Sequence, residues 1–251
     1  MRKVEPILTA HLFAPLHDEL IALLRGLSPE EWKASTVAGE WTVKDVAGHL
    51  LDTNLRRLSF HRDGQEPPPF TSFADINQNG VAFLRRLSPR LLIEQMDHYG
   101  VQLFTFFESL DPYAEAKWSV SWAGEETSEN WFDIAREFTE RWHHQQQIRD
   151  AVGRPALYQY LGPVLDTFVR AVPYTYRDRA GTVVLRIDDD AWSLVDGALY
   201  SGVAPDPAAT ITLTGDAAWR VFTKKKIDPR AQVEGDSRLA EPLLKMLAIV
   251  V

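Results

Sequence analysis

Glu140 and His144 stand four residues apart, so on a helix they project about 40° apart and one turn apart in height. A carboxylate and an imidazole placed that way can reach one divalent ion, and an N or O donor from another helix would complete the set. His49, in the run Trp41-Thr42-Val43-Lys44-Asp45-Val46-Ala47-Gly48-His49-Leu50, is the candidate third donor. Three such ligands with a vacant position suit a catalytic Zn²⁺, whereas a structural zinc is usually closed and often built on thiolates. The chain has no cysteine. Any metal site is therefore an N/O site, disulfides are excluded, and thiol chemistry would need an external thiol. His143, three residues from Glu140, competes with His144, and His61 is a spare ligand. His11, His17 and His98 have no partner at ligand spacing and read as structural.

The elements that must hold these residues follow from apolar spacing. Leu8, Leu12, Leu16, Leu20, Leu23, Leu24 and Leu27 recur at helical period, predicting a helix from about Pro6 to Leu27 that Ser28-Pro29 stops. Thr42 with Asp45 three residues on predicts the cap of a second helix running to about His61. Pro67-Pro68-Pro69 is a stiff connection. Helical period returns from Phe73 to Leu110 with a break at Ser88-Pro89, and a long helix is predicted from Glu129 through Asp150, ended by Gly153 and Pro155. On the wheel of that last helix, Ile134, Phe138 and Ile148 form the apolar stripe. Glu140 and His144 fall beside Asp133, Glu137 and Gln147, so taken alone they read as a solvated face. His49 likewise lies on the flank of its helix, and two such flanks meeting would make a cleft. Trp41 and Trp142 either line that cleft or belong to the core.

After Pro155 the texture changes. One more helical segment, Leu157 to Val172, precedes β-rich stretches at Thr182–Ile187, Ala191–Val195 and Ala209–Thr214, bounded by Asp-Gly, Gly and Pro turns. A helix from Asp216 to Thr223, a strand near Ala231 to Glu234 and a helix from Ser237 to Ile249 close the chain. The expected fold class is α followed by α+β, with a four-helix bundle over residues 1–154 and a smaller α+β domain over 155–251.

A formal net charge of −8 argues against nucleic acid or an anionic membrane as partner, because their phosphates would be repelled. No apolar stretch approaches membrane-spanning length, so a cytoplasmic protein, monomeric or homodimeric, is the expectation. Lys224-Lys225-Lys226, between Arg220 and Arg230, is the densest positive charge. It is either solvated or a basic wall that draws a carboxylate-bearing substrate or thiol to a metal.

The Trp41-to-Leu50 run, followed by Glu140 and His144 on the last bundle helix, resembles the DinB-like superfamily, in particular its mycothiol-dependent maleylpyruvate isomerase branch. Thr212-Leu213-Thr214-Gly215-Asp216 and Val233-Glu234-Gly235-Asp236 resemble the sterol-carrier-like domain that those enzymes append. The resemblance implies a DinB-like four-helix bundle that binds one divalent metal, commonly zinc, through His49, Glu140 and His144. It also implies a low-molecular-weight thiol such as mycothiol as cofactor, and a C-terminal arginine, Arg220 or Arg230, that contributes to catalysis. The function expected is metal-dependent isomerisation or S-conjugation of a small electrophile. The alternative is a non-catalytic metal-containing carrier whose second domain holds an apolar ligand.

Overall fold

The computed structural model describes residues 1–69, 72–224 and 230–246. They divide into two compact units, one of residues 8–117 and 137–158, the other of residues 1–7, 118–136 and 159–251.

The first unit is helical. It contains α1 (Phe13–Arg25), α2 (Val43–Arg56), α3 (Phe73–Leu84), α4 (Pro89–Ser109) and all but the opening turns of α5 (Asn130–Ala151). Caps set several starts. Thr42 Oγ1 accepts from the Asp45 amide at 3.3 Å while the Thr42 amide donates back to Asp45 Oδ2 at 3.1 Å, a reciprocal capping box. Ser88 Oγ accepts from the Leu91 amide, with Pro89 in the first turn, so the Ser-Pro break separates α3 from α4. The predicted first helix is shorter than its apolar period, because Ala10–Leu12 is a 3₁₀ turn. The second widens to π-helical geometry over Arg57–Arg62. Leu20, Ile21 and Leu24 of α1 pack with Val46, Ala47, Leu50 and Leu51 of α2, Leu92 and Met96 of α4 and Ile148 of α5. Nearby, Phe13 meets Phe107 and Phe138 edge to face, with centroids 5.1 Å and 5.5 Å apart.

The reading of α5 as an amphipathic helix with a solvated flank is corrected. Asp133, Glu137, Arg141, His143, His144, Gln145, Gln146 and Gln147 are all buried, and Glu140 keeps only partial exposure. A helix buried around nearly its whole circumference has no polar face to give to water, so its polar side chains must find partners within the protein.

The second unit holds a six-stranded sheet formed by β1 (Arg2–Lys3), β2 (Val183–Ile187), β3 (Asp190–Val195), β4 (Ala198–Ser201), β5 (Ala209–Leu213) and β6 (Gln232–Gly235), in the order β1-β4-β3-β2-β5-β6. β2 and β5 run parallel; the other pairs are antiparallel. Asp196 and Gly197, both at positive φ (49° and 77°), make the tight turn between β3 and β4. Sequence reading missed β1 and β4. Each is short, and its pairing depends on the neighbouring strand rather than on its own composition. The helical segment after Pro155 proves to be two helices, α6 (Leu161–Phe168) and α7 (Val172–Thr175), joined by a 3₁₀ turn. α8 (Gly215–Lys224) sets Phe222 against Phe168 of α6, and α9 spans Ser237–Leu244.

Candidate functional site

α2 and α5 carry the residues singled out by spacing. His49 lies in the middle of α2 and His144 in the second half of α5, and their rings meet edge to face with centroids 4.7 Å apart. Both are buried, at 6% and 3% exposure. Glu140, one turn earlier on α5, brings Oε2 to 3.7 Å from His144 Nε2. The structure thus brings the three predicted residues into one neighbourhood.

Burial makes both imidazoles neutral. Loss of water holds the His49 pKa well below its usual value, helped by the neighbouring His144, and pushes His144 down to about 4. A neutral imidazole has one lone pair to offer a metal. His144 Nδ1 is engaged with Gln147 Oε1 at 2.8 Å, and His49 Nδ1 is buried with no hydrogen-bond partner.

The donor set of two neutral imidazoles and a carboxylate fits an N/O site for a divalent cation. The separation of His144 Nε2 from Glu140 Oε2 is too long for a hydrogen bond. It is close to the roughly 3.3 Å expected between two ligands on one tetrahedral zinc. Among the described residues no group of three or more His, Asp or Glu side chains stands close enough together to hold an ion as placed. His144 and Glu140 form the closer pair, with the His49 ring beside them.

The surroundings were not foreseen from sequence. Arg57 Nη2 donates to Glu137 Oε1 at 2.9 Å, and Arg141 Nη2 lies 3.6 Å from Glu137 Oε2, all three side chains buried. Burial lowers the Arg141 pKa to about 10, with Glu137 opposing, so the guanidinium stays charged near neutrality. Trp41 also packs on the His49 ring, with centroids 5.0 Å apart, and donates from Nε1 to Gln78 Oε1 of α3 at 3.0 Å. Arg56 bridges Asp52 and Asn77. The available signal was the i,i+4 pairing of Glu137 with Arg141 and of His143 with Gln147, which spacing alone could not separate from a surface pattern.

Trp142 belongs to the core: its Nε1 donates to the Leu157 carbonyl at 2.9 Å. His143 is fully buried and shares a hydrogen bond with Gln147 Nε2 at 2.9 Å. His61 stands edge-on to Phe106 at 4.8 Å, and His17 is packed against Phe104 with Asp97 3.6 Å away.

In the second unit, Arg220 and Arg230 both approach Asp216, at 3.0 Å and 3.9 Å, and Arg220 lies over the Trp219 ring. Lys225 and Lys226 lie outside the described residues, as does the side chain of Lys224. No described helix is long and apolar enough to cross a membrane.

Among solved structures, the chain is similar to the crystal structure of the mycothiol-dependent maleylpyruvate isomerase, at TM-score 0.58 and 14% identity over 84% of this chain and 86% of that one. It is also similar to a crystal structure of that isomerase carrying a histidine-to-alanine substitution, at TM-score 0.54, 15% identity and the same coverage. At these identities the likeness establishes the fold. No curated protein sequence matches significantly. The family described as "Mycothiol maleylpyruvate isomerase N-terminal domain" matches residues 13–149. That span is more than half of the chain and contains the whole α2–α5 neighbourhood, so this protein belongs to the mycothiol maleylpyruvate isomerase N-terminal domain family.

Proposed function

We propose that the chain is a metal-dependent enzyme that uses a low-molecular-weight thiol, mycothiol or a close chemical relative, to isomerise or S-conjugate a small electrophile. The observation that carries this reading is the approach of His144 Nε2 to Glu140 Oε2 beside the His49 ring, an N/O donor set in a chain without a thiol of its own. The solved isomerases that share the fold are named for mycothiol dependence, which supports a thiol here.

In this reading His49, Glu140 and His144 hold a divalent metal, zinc by ligand type, and the metal when bound supplies positive charge that favours a thiolate and developing oxyanion charge. Burial keeps both imidazoles uncharged and able to donate lone pairs. Arg57 and Arg141 share the carboxylate of Glu137, and Glu140 also acts on Arg141, so the guanidinium charges beside the site are matched by carboxylates. Arg220 and Arg230, gathered on Asp216, are the candidates for holding the substrate carboxylate. Isomerisation would proceed by thiolate addition to an activated double bond, rotation about the resulting single bond, and loss of the same thiol. In this reading the helical unit, residues 8–117 and 137–158, owns the metal, and the sheet-bearing unit is the sterol-carrier-like partner domain. The protein would act on small molecules in the cytoplasm, as a monomer or homodimer.

Elemental analysis of the purified protein, followed by thiol-dependent turnover of an electrophile panel, tests this. One divalent metal per chain is expected, lost in His49→Ala, Glu140→Ala and His144→Ala. Turnover should rise with thiol to saturation and fall in Arg220→Ala or Arg230→Ala. Undiminished metal in His144→Ala would overturn the ligand set. Turnover independent of thiol would mean hydrolysis, and no turnover with any thiol would favour a carrier.

A further inference from the structure

Gln147 sits on α5 between two histidines, four residues after His143 and three after His144. Its Oε1 is 2.8 Å from His144 Nδ1 and its Nε2 is 2.9 Å from His143 Nε2, all within the buried interior. A primary amide has a fixed polarity: its nitrogen only donates and its oxygen only accepts. With Nε2 donating to His143, Oε1 must accept from His144, which places the His144 proton on Nδ1. The lone pair is then on Nε2, the atom that faces Glu140 at 3.7 Å.

We infer that Gln147 is a positioning residue that locks His144 in its Nδ1–H tautomer and so presents Nε2 to the cation. The inference rests on the metal-binding reading for its second half, whereas the tautomer lock rests on the orientation of the Gln147 amide, Oε1 towards His144 and Nε2 towards His143. Its physical logic is general: the second ring nitrogen of a ligating histidine needs an acceptor to hold both tautomer and orientation, and losing such a partner weakens metal binding by about 10–100-fold. His49, whose Nδ1 has no hydrogen-bond partner, lacks this restraint. His144 would therefore be the preorganised ligand and His49 the adjustable one.

The test is long-range ¹H–¹⁵N NMR of His144 in metal-free protein at pH 7, paired with Zn²⁺ titration, for the parent, Gln147→Leu and Gln147→Glu. In the parent, Nδ1 should give a protonated, pyrrole-type shift and Nε2 an unprotonated one. Gln147→Leu should lose that pattern and bind Zn²⁺ about 10–100-fold more weakly. Gln147→Glu keeps the acceptor oxygen and should restore the pattern. An Nε2–H tautomer in the unmodified protein would overturn the inference without any variant, as would an unchanged pattern in Gln147→Leu. A changed tautomer with unchanged Zn²⁺ affinity would overturn the presentation role. Should the parent take up no Zn²⁺, the metal reading and the presentation role fall together, and the NMR result alone decides the lock.

Discussion

Arg57 and Glu137 form a buried ion pair, Nη2 to Oε1 at 2.9 Å, between the π-helical continuation of α2 and the second turn of α5. Arg141 reaches the other oxygen of the same carboxylate at 3.6 Å. One carboxylate therefore faces two guanidinium groups where water cannot screen them.

Removing that carboxylate should be severe. Glu137→Ala is expected to cost about 3–5 kcal/mol, because breaking a buried pair leaves charge uncompensated. Urea unfolding followed by circular dichroism measures it. A loss below about 1 kcal/mol would show that the pair contributes no more than a surface salt bridge.

Gly100 of α4 lies against His17 of α1: a Cβ there would stand 2.5 Å from the imidazole Cε1. Gly100→Ala gains about 1 kcal/mol of helix propensity, but it must push the ring off Phe104. Overpacking of this kind costs about 1–3 kcal/mol. A net loss of stability is expected, and a net gain in the thermal midpoint would show that His17 gives way freely.

His17 also makes stability depend on pH. Burial and, next, Arg141 lower its pKa below the ordinary 6.5, against opposing pulls from Asp97 and Asp18. The unfolded chain therefore takes up this proton at a higher pH than the folded one. The stability associated with neutral His17 is complete above pH 6.5, declines as pH falls below it, and is fully lost below the folded pKa. The stability difference between the parent and His17→Leu should shift against the parent across that window. A difference that stays flat from pH 8 to pH 4 would contradict the lowered pKa.

The capping box at the start of α2 gives a smaller effect. Thr42→Ala removes the acceptor of the Asp45 amide and should cost about 1 kcal/mol. Asp45 also holds Arg85 at 2.8 Å, so Asp45→Ala should cost more than Thr42→Ala. Equal losses in denaturant midpoint would mean that the Arg85 contact adds nothing.

Local features were legible in the chain before it was folded. The period of Leu16, Leu20 and Leu24, the Thr42–Asp45 cap, the Ser88-Pro89 break and the Asp-Gly turn after Val195 each act within a few residues, and the structure has a helix, a cap, a break and a turn at those places, although the strand β4 beyond that turn was not legible. The absence of cysteine and the turn-apart Glu140 and His144 likewise restricted any proposed metal site to N and O donors. Tertiary structure alone decided the rest. Glu137, Arg141 and Gln147 have the composition of a solvated helix face, and only the burial of α5 on nearly every side turns them into an interior network. Arg57 finds Glu137, and His49 finds His144, across long stretches of chain whose intervening helices set the approach. A polar side chain carries no local sign of its partner, since that partner is chosen by which element faces it and by whether water is left to compete.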